Sequence, residues 1–264
     1  MRSKKMKLGG KVAIVTGAGG GLGRASAIAM ARDGASLVIL SRTPAELRET
    51  AERIKAIGRK VLFIRADVSK PEDIEKVVHQ ALSRFDKIDI LMNNAAIIGP
   101  LKPTFKIQER EWNQTLNINL KGVYLFSKVV IPHMIKQRKG KIINVISGLG
   151  ERVMPPFGAY SVAKAGLIHL TRFMAEELKG YDIQVNGLDP GIMDTRMQEE
   201  IRASGPEVLG LELYEQILGW KERGELKPPE KVARLAVFLA SAASDSINGE
   251  CGTETYYRKR GYRG

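Results

Sequence analysis

The sequence predicts an α/β chain built as a single domain, a doubly wound parallel sheet with helices on both faces. Three observations carry this. Strand-like and helix-like segments alternate from end to end. The strand-like runs are almost continuously apolar, as strands covered on both faces are. No repeat, linker or low-complexity stretch divides the 264 residues, a length that single α/β domains routinely reach.

The elements follow in order. Val12–Thr16 is an apolar strand that ends in glycines, and Arg24–Asp33 continues as a helix. Leu37–Leu40 is a second strand. Pro44–Ile57 is a helix for which Thr43 is the expected N-cap and Pro44 the first helical residue. Val61–Ala66 is the third strand, Pro71–Phe85 a helix entered at Ser69 or Lys70, and Ile88–Met92 the fourth strand. Helical patterns over Gln108–Asn119 and Val123–Gln137 lead to the strand Lys141–Ile146. A helix containing Tyr160 runs to Leu178, with Leu167, Leu170 and Met174 at helical spacing. Ile183–Leu188 is the sixth strand and Pro229–Ala240 a further helix.

Hydrophobic residues make up 44% and charged residues 27%, which fits a water-soluble chain with a sizeable core. The one cysteine, Cys251, excludes an internal disulfide framework and suits a reducing, cytoplasmic setting. No apolar run approaches eighteen residues, so no membrane span is expected. The net charge is 42 − 29 = +13, with local clusters at Arg2–Lys7, Lys136–Lys141 and Arg258–Arg263. No nucleic-acid-binding motif accompanies them, so no specific nucleic-acid partner is expected.

After the first strand comes Thr16-Gly17-Ala18-Gly19-Gly20-Gly21-Leu22-Gly23. Between a buried strand and a helix, such glycines permit a tight turn and bring backbone N–H groups against a pyrophosphate. The spacing is G-x-x-x-G-x-G, carried by Gly17, Gly21 and Gly23 around Leu22. The second strand ends in Ser41-Arg42 where an acidic residue would bind the ribose hydroxyls of NAD. Ser41 and Arg42 can instead hold a 2′-phosphate, which favours NADP(H), with NAD(H) the second option. Asp67-Val68 and Asn94-Ala95 follow the next strands and face the same crevice, Asp67 being equally suited to an Asx-type turn.

Tyr160 and Lys164 are four residues apart on a helix and so share a face. An ammonium beside a phenol favours the phenolate, so Tyr160 is expected to ionise more easily than usual and to exchange protons near neutral pH. Ser147 is placed at the C-terminal edge of the fifth strand, where ligands meet open parallel sheets.

The ordered set Thr16-Gly17-x-x-x-Gly21-x-Gly23, Asn93-Asn94-Ala95, Asn119, Ser147, Tyr160-x-x-x-Lys164 and Pro190-Gly191 resembles the short-chain dehydrogenase/reductase family from Lys11 to about Gly249. That resemblance implies a Rossmann-like fold and an NAD(P)-dependent oxidoreductase, assembled as a homodimer or homotetramer. It implies that Tyr160 is the general acid/base, that Ser147 bonds the substrate oxygen, and that Lys164 holds the nicotinamide ribose. It also implies that Asn119, or less aptly Asn117, kinks its helix and anchors a water. By the same resemblance Pro190, Gly191, Ile192, Met193 and Thr195 flank the nicotinamide. Ala96 replaces the family's usual glycine, and the last strand and its subunit contact are not recognisable after Asn248.

The resulting division is a basic extension over 1–10, a dinucleotide-binding domain over 11–250 with a substrate lid at about 195–229, and a mobile basic tail over 251–264. The lid carries Met197, Ile201, Leu209, Leu211, Leu213, Ile217, Leu218 and Trp220, and Met154–Phe157 with Ile97 and Ile98 add apolar walls. These favour an apolar ketone or secondary alcohol as substrate. Lys136, Arg138, Lys139 and Lys141 read as a solvated helix end, or as a docking cluster in a 3-oxoacyl-carrier-protein reductase. A dinucleotide-binding regulator without catalysis is the competing reading.

Overall fold

The computed structural model describes residues 6–264. Its strands are β1 (Val12–Thr16), β2 (Ser36–Ser41), β3 (Val61–Arg65), β4 (Ile90–Asn93), β5 (Gly140–Val145), β6 (Ile183–Leu188) and β7 (Cys251–Gly252). They form one parallel sheet in the order β3-β2-β1-β4-β5-β6-β7. Helices α1 (Gly21–Arg32), α2 (Pro44–Ala56), α3 (Pro71–Phe85), α4 (Glu109–Leu116), α5 (Gly122–Gln137) and α6 (Gly158–Glu177) connect the strands as far as β6. Then come α7 (Arg196–Ala203), α8 (Pro206–Leu209), α9 (Leu211–Glu222), α10 (Pro229–Ala240) and α11 (Glu254–Arg258).

Successive strand side chains point to opposite faces, and the two faces build two cores. Ala13 and Val15 of β1 join α1, α2 and α10 on one side, while Val12 and Ile14 join α3, α5 and α6 on the other. The strand order reverses between β1 and β4. A crevice therefore opens above their C-terminal ends, where ligands enter open α/β sheets.

The elements differ from the sequence expectation at identifiable places. α1 starts at Gly21, three residues before Arg24, because the end of the glycine turn already winds into the helix. Thr43 occupies the N-cap of α2 without a side-chain cap bond; Ser41 Oγ accepts from Thr43 N instead, at 3.3 Å. The expected gap between Asn119 and Val123 is closed by a widened helical turn, Asn117–Lys121, that joins α4 to α5. Glycine stands at 122 for packing, since a Cβ there would lie 2.7 Å from the carbonyl oxygen of Val68.

Both chain ends require correction. Met1–Lys5 of the expected extension lie outside the described residues. Leu8, however, is buried in the α1 core, and its N–H donates to Asp33 O at 2.8 Å. The stretch from 251 is not a mobile tail. Cys251–Gly252 pairs with β6, and Tyr257 is wholly buried, its single hydroxyl proton shared between Gly187 O at 2.9 Å and Glu250 O at 2.8 Å. Its basic residues obscured two tyrosines, Tyr257 and Tyr262, that complete the core. Lys141 is not part of a solvated cluster either. It lies inside β5 and pairs with Asp245 at 2.6 Å.

Candidate active site

The crevice is a cleft of about 800 Å³. It is lined by Gly17, Gly21, Leu22, Ser41, Arg42, Asp67, Val68, Asn94, Ala95, Ser147, Tyr160, Lys164, Pro190, Gly191, Ile192, Met193 and Thr195. Of the site residues expected from sequence, only Gly23 and Asn119 do not line it. Both are one layer below, and each has a structural task.

The glycine turn is shaped for close approach. Gly17 and Gly21 have φ of +66° and +49°, a region that favours glycine. A Cβ on Gly23 would overlap the carbonyl oxygen of Gly17. Thr16 and Asn94 fasten this turn to the end of β4. Thr16 Oγ1 accepts from the N–H groups of Asn94 and Ala95, both at 2.9 Å, and Asn94 Nδ2 donates to Thr16 O at 2.9 Å. Helix α1 points its N-terminus into the space above, so free amides and the helix dipole suit a phosphate group there. The cradle fits a dinucleotide.

At the far end of β2, Arg42 is exposed and forms no ion pair among the described residues. Asp67 combines both expected roles: it lines the cleft, and its Oδ1 accepts from Ser69 N and Ser69 Oγ at 2.9 and 2.7 Å. Burial would raise its pKa, but the Ser69 bonds and the positive field of Arg42 and Lys70 outweigh that and hold it below the ordinary value.

Asn119 sits in the widened turn, fully buried, and grips the backbone of Ile97 from both sides. Ile97 N donates to its Oδ1 at 2.9 Å, and its Nδ2 donates to Ile97 O at 2.8 Å. Such widened turns often mark functional sites. Here the turn ties the segment after β4 to the helix carrying Asn119.

Ser147, Tyr160 and Lys164 converge at the C-terminal edge of β5. Ser147 leaves the strand in extended geometry, and its Oγ accepts from Leu149 N at 3.2 Å. Tyr160 and Lys164 share one face of α6, with Lys164 Nζ 5.5 Å from the ring centre. Both are buried, at 8% and 2% exposure. Lys164 Nζ donates to Val145 O at 2.6 Å.

The expected acidic tyrosine is not what this geometry gives. Burial pushes the Tyr160 phenol up to about 12, against the opposing hydrogen bond from Ser147, and the Asp189 carboxylate adds to the rise. Burial also pulls the Lys164 ammonium down to about 8, with Asp189 acting against it. Loss of water outweighs the pairing of charges, because both members are desolvated together.

This has a measurable consequence for stability. The folded-state pKa of Lys164 is below its ordinary 10.5, so the unfolded chain binds the extra proton between about 8 and 10.5. Burying the charge costs roughly 3 kcal/mol at neutral pH. Lys164→Met removes that cost and leaves Val145 O without its donor, a loss of about 1 kcal/mol. Urea unfolding at pH 7 is therefore expected to show the variant more stable by about 2 kcal/mol. The difference should shrink as pH rises above 8, and the variant should lose turnover. A less stable variant at pH 7 would contradict this placement of charge.

Sequence reasoning missed several residues. Glu46 of α2 and Arg196 of α7 pair at 2.5 Å beside the glycine turn, joining elements 150 residues apart with no local signal. Asn144 is another: in the core its Oδ1 accepts from Asn93, a residue of the motif already noted, at 2.9 Å, and its Nδ2 donates to Thr171 at 2.9 Å. Polar residues within apolar strands were the available sign. Arg152 and Asp189 also line the cleft.

The lid segment is helical, and Ile201, Leu209 and Ile217 are buried against Ile98, Phe157 and Tyr160, with Met154, Met197, Leu213 and Trp220 packed around them. Leu211 is not part of this wall; it is 64% exposed. The cleft thus has an apolar end beside the phenol and a polar end beside the glycines.

A parallel sheet, a phosphate-shaped glycine turn and a buried Tyr-Lys pair beside the half-buried Ser147 at one crevice define a dinucleotide-dependent oxidoreductase. The model of the short chain dehydrogenase family matches residues 11–205, and the chain belongs to the short-chain dehydrogenase/reductase family. It is 34% identical to the 3-oxoacyl-[acyl-carrier-protein] reductase of Thermotoga maritima, over 93% of this chain and 96% of that protein. It is 35% identical to the 2-dehydro-3-deoxy-D-gluconate 5-dehydrogenase of Escherichia coli, over 92% of each. Levodione reductase superposes with a TM-score of 0.87 at 28% identity, covering 97% of this chain and all of that one. The chain is an NAD(P)-dependent oxidoreductase, and no described helix is long and apolar enough to cross a membrane.

Proposed function

We propose that this enzyme transfers hydride between NADP(H) and a carbonyl or secondary alcohol on a largely apolar substrate. The observation that carries the reading is the meeting of Ser147, Tyr160 and Lys164 with the glycine turn and the apolar wall in a single cleft. The glycine turn and the Pro190–Thr195 segment would hold the nicotinamide cofactor, which would supply or take the hydride. In the reducing direction Ser147 Oγ and the Tyr160 phenol hold the carbonyl oxygen, and the phenol gives its proton as negative charge develops there. A phenol held at about 12 is still a stronger acid than an aliphatic alcohol, so this transfer runs downhill. Lys164, charged below about 8, stabilises the phenolate left behind.

The cofactor preference rests on Ser41 and Arg42, with no carboxylate at the end of β2. A guanidinium pairs phosphate oxygens through two donors, and such a charge-assisted bond contributes about 1.5–3 kcal/mol. Arg42→Gln is expected to lower kcat/KM for NADPH by about tenfold or more while changing that for NADH little. Equal use of both cofactors by the native enzyme would overturn the NADP assignment. Tyr124, Val162 and Phe173, exposed on α5 and α6, supply the surface for the homo-oligomer that the family suggests.

A further inference from the structure

The apolar end of the cleft contains one feature that an apolar ketone leaves unexplained. Arg152, in the loop between β5 and α6, lines the cleft five residues after Ser147. A glycine leaves room for its exposed guanidinium. A Cβ on Gly148, the residue next to Ser147, would lie 2.8 Å from Arg152 Nη2 and 3.6 Å from its Cζ. With no side chain at 148, the guanidinium can rest over the backbone at this point.

The guanidinium is otherwise uncommitted. It makes no side-chain hydrogen bond and no ion pair among the described residues. Asp189 is the carboxylate beside it: its Oδ2 is 3.3 Å from the same Gly148 Cβ position, while its Oδ1 accepts from Gly191 N at 2.9 Å. Asp189 therefore attracts the guanidinium to this edge without pairing with it, and the planar fork of donors is left for a ligand. A guanidinium of this kind matches a carboxylate through two parallel bonds.

Building on the oxidoreductase reading above, we infer that Arg152 is a specificity-determining residue and that the substrate is a carboxylate-bearing ketone or alcohol. Its carbon skeleton rests on the wall formed by Ile98, Phe157 and Ile217. Its reacting oxygen meets Ser147 and Tyr160, and its carboxylate meets Arg152. The opposite ends of the molecule are thus recognised by different chemistry, which also fixes which face of the carbonyl is presented.

The test is a matched panel of oxo acids and their methyl esters, 4-oxopentanoate and 5-oxohexanoate among them, assayed with NADPH and NADH. The native enzyme is expected to prefer each acid to its ester by about tenfold in kcat/KM, the scale of one charge-assisted bond at a partly exposed site. Arg152→Gln is expected to bring that ratio to about one, chiefly through KM for the acid, and Arg152→Lys to restore part of it. Esters turned over as well as acids by the native enzyme, or a ratio that survives Arg152→Gln, would overturn the assignment and leave the oxidoreductase reading standing. No turnover of any acid or ester, by an enzyme that still binds dinucleotide, would count against both.

Discussion

Tyr160→Phe is expected to lower turnover by at least about a hundredfold, the contribution that a positioned general acid typically makes. The side chain keeps its ring and its buried place against Ile98 and Phe157, so the fold should persist. What disappears is the single proton that the proposed mechanism delivers to the substrate oxygen. Dinucleotide affinity, which we propose rests on the glycine turn and the loop after β6, should change far less. The measurement is steady-state turnover beside a fluorescence titration with the dinucleotide, using Trp220 at the cleft wall as reporter. Turnover surviving in this variant would mean that some other group delivers the proton.

Gly23→Ala should act on the opposite half of the cleft. The new methyl group would overlap the carbonyl oxygen of Gly17 and come within 2.5 Å of Asn94 Nδ2. Neither neighbour can yield easily: one is backbone in a left-handed turn, and the other is held by Thr16 O. Relief requires the turn to open, which moves the amides that would face the phosphates of a bound dinucleotide. Overpacking of this kind costs about 1–3 kcal/mol of stability. Dinucleotide affinity should fall by more than tenfold, since about 1.4 kcal/mol of lost interaction already corresponds to that factor. Gly20→Ala is the control for stability, because nothing is within 4 Å of its Cβ position and its φ of −161° suits any residue. A stable, dinucleotide-binding Gly23→Ala protein would refute the close packing described for this turn.

Most of the fold was legible because strands buried on both faces declare themselves as apolar runs, and because Pro44, Pro71 and Pro229 mark helix starts. The site was legible where chemistry demands a residue type at a fixed local spacing, as with Tyr160 and Lys164 or Gly17, Gly21 and Gly23. Three things were not. The final strand has two residues, and Tyr257 from the helix beyond it bonds Gly187 of β6 and Glu250 just ahead of that strand, so its signal lay in tertiary contacts. The salt bridge between Glu46 and Arg196 joins distant segments with no pattern in either. The ionisation of Tyr160 was misjudged because spacing reveals the neighbouring ammonium and says nothing of how completely both groups leave water. Burial decided the sign.

On the mechanism we propose, this cleft passes a hydride to or from a carbonyl carbon while Tyr160 moves the proton. Absorbance at the nicotinamide band, followed with NADPH and NADH side by side over a panel of ketones, oxo acids and alcohols, tests it most directly. Carbonyl-dependent loss of the reduced-nicotinamide signal is expected, faster with NADPH, with one proton taken up per hydride transferred. Binding of either dinucleotide with no oxidation or reduction across the panel would contradict it and leave a nucleotide-binding protein without this chemistry.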